Sequence, residues 1–287
     1  MFADLVAGTR RLWAELPLGA RVSLVVLAIL YALALAAPAV APYLPSQQLD
    51  IVALKDQAPS WAHPFGTDRF SRDQLTRVLY GARVSLSVAT LAVLMSAIVG
   101  TAYGLVAVTA GGLVDTVMMR LLDAMLSIPR VLLLIAVLAL WNPVPLPALV
   151  AVLGLTGWFD VSRLVRAEAL SLRERDFVVA ARSLGTGAVR LMLRHLLPNV
   201  LVPVIVFTTL GVANIIILEA GLSFIGVGAH EPVPSWGTLF FDGTEAFVGT
   251  WWAALFPGMA IITTVLCFNI LGDALRRILD PRHLRSA

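Results

Sequence analysis

Residues 168–199, EALSLRERDFVVAARSLGTGAVRLMLRHLLPN, are charged and rich in arginine, yet they lie between segments that are almost pure hydrocarbon. The stretch reads as two short helices with a turn between them. Phe177, Ala180, Ala181 and Leu184 recur at i, i+3, i+4, i+7 in the first, and Val189, Met192, Leu193 and Leu196 do so in the second. Gly185 and Gly187 mark the junction, where a left-handed helix stop needs no Cβ. Pro198 stands where the next apolar segment begins, a position at which its missing N–H costs little. Arg173, Arg175, Arg182, Arg190 and Arg194 make the stretch too costly to place in hydrocarbon. It therefore lies outside the lipid and offers a narrow apolar stripe, either to anionic headgroups or to another protein.

The rest of the chain sets that elbow in a membrane. Of 287 residues, 59% are hydrophobic and only 14% charged, against roughly a quarter charged in soluble domains. Several segments approach the ~20 apolar residues that span ~30 Å of hydrocarbon as a helix. Alternating strands of about ten residues, the mark of a membrane barrel, are absent from the sequence. The net charge of +3 is small, and its arginines gather at the ends of apolar segments instead of forming a continuous basic face, which excludes nucleic acid as a partner. Cys267 is alone in an apolar run, and His63, His195, His230 and His283 lack metal-ligand spacing.

Taken in order, residues 1–21 form a polar lead with Arg10, Arg11 and Arg21, and residues 22–41 a first span. A basic start, an apolar run and Ala39-Val40-Ala41 also fit a cleavable signal; the run exceeds the usual ~7–15 residues, which favours a retained helix. Residues 42–83 are polar and punctuated by Pro42, Pro45, Pro59 and Pro64, with Leu75, Val78 and Leu79 suggesting a helix on a membrane surface. Further spans are expected over about 84–108, 113–140, 146–165, 200–219 and 253–271. Gly100 and Gly104 let another helix come close, Pro129 kinks the third span, and Asp123 meets Arg120 as an i, i+3 neighbour. Arg130 inside that span lines a conduit, pairs with a neighbouring subunit or snorkels to headgroups. Trp141, Trp251 and Trp252 are expected in the aromatic belt. Asn214 and Glu219 are the polar points of the fifth span. A glycine-rich stretch containing Ser223 and Phe224 follows, a pattern permitted where backbone lines a cavity or is buried in protein. Arg276, Arg277, Arg282 and Arg285 fix the C-terminus on the side of the lead.

The elbow also resembles a known family. Ala180-Ala181, Gly185 four positions on and Leu197-Pro198 after the right gap are similar to the cytoplasmic "EAA" loop of ABC-importer permeases, with Val179 where that motif usually has Glu. His63-Pro64-Phe65-Gly66-Thr67-Asp68, Arg72-Asp73, Leu79-Tyr80-Gly81-Ala82-Arg83 and Pro234-Ser235-Trp236-Gly237 look like the dipeptide/oligopeptide/nickel branch. The resemblance implies an all-α membrane protein of six transmembrane helices with the type I importer-permease (MetI-like) fold. The permease core would be 84–287 with a coupling loop at 168–199. It places 42–83 outside the cell, both termini in the cytoplasm and the chain in a bacterial inner membrane. It further implies a second permease subunit, two ATPase subunits that bind ATP and Mg, an external solute-binding protein and a peptide or nickel-chelate substrate. No cofactor is implied in this chain. Phe177, Ala180, Ala181 and Leu184 become the docking stripe for the ATPase, Gly185 the turn, Arg182 and Arg190 its polar rim. Arg130, Asn214, Glu219, Ser223 and Phe224 become candidates for the path or gate.

The residues themselves exclude some chemistry. Lys55 is the only lysine and no glycine-rich loop precedes it, so the chain has no phosphate-cradling loop of its own. An intramembrane serine enzyme at Gly221-Leu222-Ser223 has no histidine within a span to serve as base. An ion-coupled transporter, with Asp160, Glu219 and Arg130 as the relay, is the alternative that the resemblance displaces.

Overall fold

The computed structural model describes residues 16–228, 234–245 and 249–279. Arg10, Arg11, His230, Arg282, His283 and Arg285 lie outside the described residues. Within them the chain is helical, with one isolated bridge between Thr67 and Asp73. The helices are α1 (Leu18–Val40), α2 (Ile51–Leu54), α3 (Gln74–Ala110), α4 (Gly112–Leu126), α5 (Arg130–Leu138) and α6 (Leu146–Arg173). Then come α7 (Asp176–Ser183), α8 (Ala188–Leu191), a π turn (Met192–Leu196), α9 (Leu197–Phe224), α10 (Trp236–Glu245) and α11 (Trp251–Leu279). Five helical stretches, α1, α3, α6, α8 through α9, and α11, are long and apolar enough to cross a bilayer. Counted as one broken span, α4 and α5 bring the number to six.

The helices run past the apolar windows that the sequence suggested. The turns expected to form a separate surface helix around Leu75, Val78 and Leu79 are instead the first turns of α3. Asp73 starts that helix by accepting the Thr76 N–H at 2.8 Å. At 37 residues and 1.5 Å per residue, α3 is about 55 Å long, well beyond the hydrocarbon thickness. Nor does the kink at Ser127-Ile128-Pro129 merely bend a helix. Pro129 leaves helical geometry with ψ 122°, and α4 and α5 meet at 75°, because proline can neither donate to the preceding turn nor tolerate its carbonyl.

The largest interface joins α3 to α6, and its cause is small side chains. A Cβ on Gly100 would stand 2.6 Å from Val161 Cβ, and one on Gly104 2.7 Å from the Ser162 carbonyl. The close approach expected of this glycine pair is thus made within the chain. Around it lie two cores. One includes Leu86, Leu138, Leu149, Ile216, Trp236 and Phe268. The other, toward the elbow, includes Leu105, Val165, Val178, Ala181, Leu196 and Val200. The helix α1 leans on α3 and α11, with Tyr31 Oη and Thr90 Oγ1 sharing a hydrogen bond of 2.5 Å.

Candidate functional site

The elbow is a short helix clamped onto the end of the bundle. Val178 and Ala181 face inward and are buried in the second core. Phe177, Val179 and Leu184 are exposed at 45%, 49% and 87%, and Ala180 is exposed beside them. The expected stripe is therefore split: Phe177, Ala180 and Leu184 lie outside, whereas Ala181 holds the helix to its own protein. The run Phe-Val-Val-Ala-Ala is apolar on every face, so its period could not choose between them. Gly185 ends the helix at φ +80°, with its N–H on the Arg182 carbonyl (2.9 Å) and the Thr186 N–H on the Ala181 carbonyl (3.1 Å). That pair of bonds is the Schellman stop, and it needs the left-handed residue that glycine supplies.

Beyond the turn, the second short helix of the sequence reading does not end. It passes through the π turn directly into α9, giving one helical stretch from Ala188 to Phe224. Pro198 accounts for the π turn: it has no N–H for the Arg194 carbonyl, and its ring crowds that turn. The wider turn closes through the Leu197 N–H to the Met192 carbonyl, and Asn199 Nδ2 donates to the His195 carbonyl at 2.7 Å. The ring centroids of Phe177 and His195 lie 6.5 Å apart, so the two arms of the elbow meet.

The same end of the bundle is fastened by ion pairs. Arg166 donates to both carboxyl oxygens of Asp115 at 2.6 and 2.7 Å, linking α4 to α6. Asp123 pairs with Arg163 and not with its helical neighbour Arg120. Arg173 donates to the Val108 carbonyl at 2.8 Å, closing the last turn of α3.

A second polar assembly lies near the opposite end. Glu219, 1% exposed, accepts Ser223 Oγ–H at 2.8 Å and Ser85 Oγ–H at 3.3 Å. Ser85 Oγ in turn accepts the Trp236 backbone N–H at 3.0 Å, and the Trp236 indole donates to the Val78 carbonyl at 3.0 Å. One carboxyl group thereby joins α3, α9 and α10. Gly237 permits the approach, since a Cβ there would lie 2.6 Å from Ala220 Cα. Glu219→Ala is expected to cost about 2–4 kcal/mol by leaving buried hydroxyls unpaired around a void. Glu219→Gln, which keeps shape and an acceptor, should cost less. Thermal melting of the detergent-solubilised chain measures both, and equal losses would contradict this role.

Beyond that assembly Arg69, Arg72 and Arg77 have carboxylate partners. Arg72 and Arg77 share Asp68 at 2.7 and 2.5 Å, Arg77 also reaches Asp242 at 3.6 Å, and Arg69 meets Glu245 at 3.3 Å. Asp73 pairs with His63 Nδ1 at 2.9 Å. Trp252 is buried and donates to the Thr67 carbonyl at 3.0 Å instead of standing in an aromatic belt.

The candidate path residues are only partly assembled. Glu219 and Ser223 touch. Asn214 and Phe224 are exposed on other faces of α9, with Phe224 set edge-on to Phe241 at 5.4 Å. Arg130 is apart from them, donating to Thr156 Oγ1 at 3.2 Å and the Leu153 carbonyl at 3.1 Å, so it ties α5 to α6 across the break. Ser85, Asp242 and Glu245 escaped the sequence reading, because nothing local distinguishes them.

A bundle of membrane-crossing helices, with an arginine-bearing elbow clamped to one end and leading directly into a span, is the architecture of a transport permease. Residues 92–285 match the family "binding-protein-dependent transport system inner membrane component". The chain belongs to this family of ABC-importer permeases. It is 43% identical over 226 residues to the dipeptide transport system permease protein DppC of Alkalihalophilus pseudofirmus, covering 79% of this chain and 74% of that one. It is 36% identical over 269 residues to DppC of Bacillus subtilis, covering 93% and 82%.

Proposed function

We propose that this chain is a permease subunit of an ATP-driven importer of peptides and that the elbow is where ATPase motion enters it. The observation that carries the reading is the exposed apolar face of Phe177, Val179, Ala180 and Leu184. It lies on a helix held from behind by Val178 and Ala181 and continued, through Gly185 and the π turn, into α9. An ATPase docked on that face moves α7 and α9 together and tilts the spans around them, switching a central cavity between its two openings. Arg182 and Arg190 form the polar rim. Glu219, Ser223 and Phe224, with Asn214 and Arg130, belong to the path or its gate.

The peptide substrate rests on the likeness to the two dipeptide permeases. The assembly pairs this chain with a second, similar permease, two ATPase subunits that hold ATP and Mg, and an external binding protein. Both termini face the cytoplasm, consistent with Arg276 and Arg277 at the end of α11. Gentle purification tests the reading: an ATPase and a second permease should come down with this chain, and dipeptide uptake into vesicles should stop with vanadate. Uptake that instead follows the proton gradient and ignores vanadate would refute it.

A further inference from the structure

Behind the exposed apolar face of the elbow lies a space that has Arg182 at its edge. Thr109 near the end of α3, Arg173 at the end of α6, and Arg182 and Thr186 of the elbow line a pocket of about 180 Å³, closed on one side by Leu191 and Leu196. No acidic residue lines it. Arg173 places one nitrogen on the Val108 carbonyl and keeps its other donors. The Arg182 guanidinium has neither a hydrogen bond nor an ion pair among the described residues. Arg163 and Arg166, nearer the spans, each have a carboxylate partner, whereas no carboxylate among the described residues pairs with Arg182.

Two planar guanidinium forks and the Thr186 hydroxyl match an anion with several acceptor oxygens on one centre, which is a phosphate group; the Thr109 hydroxyl is already donated to the Leu105 carbonyl at 2.7 Å. The leucine wall adds a surface for glycerol and the first methylenes of a lipid. The pocket also sits where α3 and α6 end, and basic hollows at the ends of membrane helices hold anionic lipid. We propose that it binds the headgroup phosphate of an anionic phospholipid, which fastens the elbow to α3 and α6. The pocket shares Arg182 with the rim of the proposed docking face, so lipid binding is read on this chain alone, with no ATPase present.

The test uses the whole chain, purified in mild detergent, stripped of lipid and exposed to phosphatidylglycerol or phosphatidylcholine, with retained lipid counted by native mass spectrometry. Phosphatidylglycerol should be retained and phosphatidylcholine not. Arg182→Gln should cut retention by about fivefold or more. Arg190→Gln removes the same charge from an exposed site outside the pocket and should leave retention nearly intact. Equal losses in the two variants, or equal retention of the two lipids, overturn the proposal. In the unaltered chain, phosphatidylglycerol should protect Arg182 from modification by phenylglyoxal. Protection by inorganic phosphate but not by the lipid assigns the pocket to the soluble anion and overturns the lipid reading.

Discussion

Gly100→Leu should leave a chain that inserts but melts roughly 10 °C lower, the counterpart of a loss of about 3 kcal/mol or more. The cause is local and severe. A Cβ at this position would already stand 2.6 Å from Val161 Cβ and 2.8 Å from the Trp158 carbonyl. A flexible side chain can swing aside, but a backbone carbonyl in mid-helix cannot, so α3 and α6 must separate along their length. Gly104 repeats the constraint one turn on, against the Ser162 carbonyl and Val165. Separation also strains the Asp115–Arg166 bridge, which positions α4 on α6. Gly187→Ala is the matched control. Gly187 has an ordinary φ of −65°, and nothing lies within 4 Å of its missing Cβ. Should Gly100→Leu melt with Gly187→Ala and the unaltered chain, the glycine pair does not set this interface.

Gly185→Val should lower dipeptide uptake more than tenfold and weaken recovery of the ATPase, with membrane insertion unchanged. Here space is not the issue, since nothing lies within 4 Å of the missing Cβ. The penalty is conformational: φ is +80°, where an L residue costs about 1–2 kcal/mol and a β-branched one more. That strain falls on a helix whose buried side chains are Val178 and Ala181, so the elbow loosens before any span does. Gly185→Asn, which tolerates the left-handed region, should retain much of the uptake. Full uptake by the valine variant would show that the elbow transmits no force.

The two substitutions separate what local sequence specifies from what it leaves open. Gly185, Pro129 and the apolar windows act through the backbone or the solvent, and each was legible where it stands. The split of the stripe at Ala181 was not, because a helix apolar on all sides has no preferred face until a neighbour covers one. The continuity from Ala188 to Phe224 was likewise hidden. Pro198 looks like a boundary in sequence, and only a π turn, braced by Asn199, carries the helix through it.

By itself the sequence determined that this is an all-helical membrane protein, and which family the chain belongs to. Each of these follows from transfer energies and turn preferences summed over adjacent residues. Only the tertiary structure decided which charges and hydroxyls meet: Asp115 with Arg166 across 51 positions, Ser85 with Glu219 across 134, and the two arginines that share a pocket behind the elbow. Such partners are chosen by distance in space within a poorly screened interior, and no local pattern along the chain records that distance.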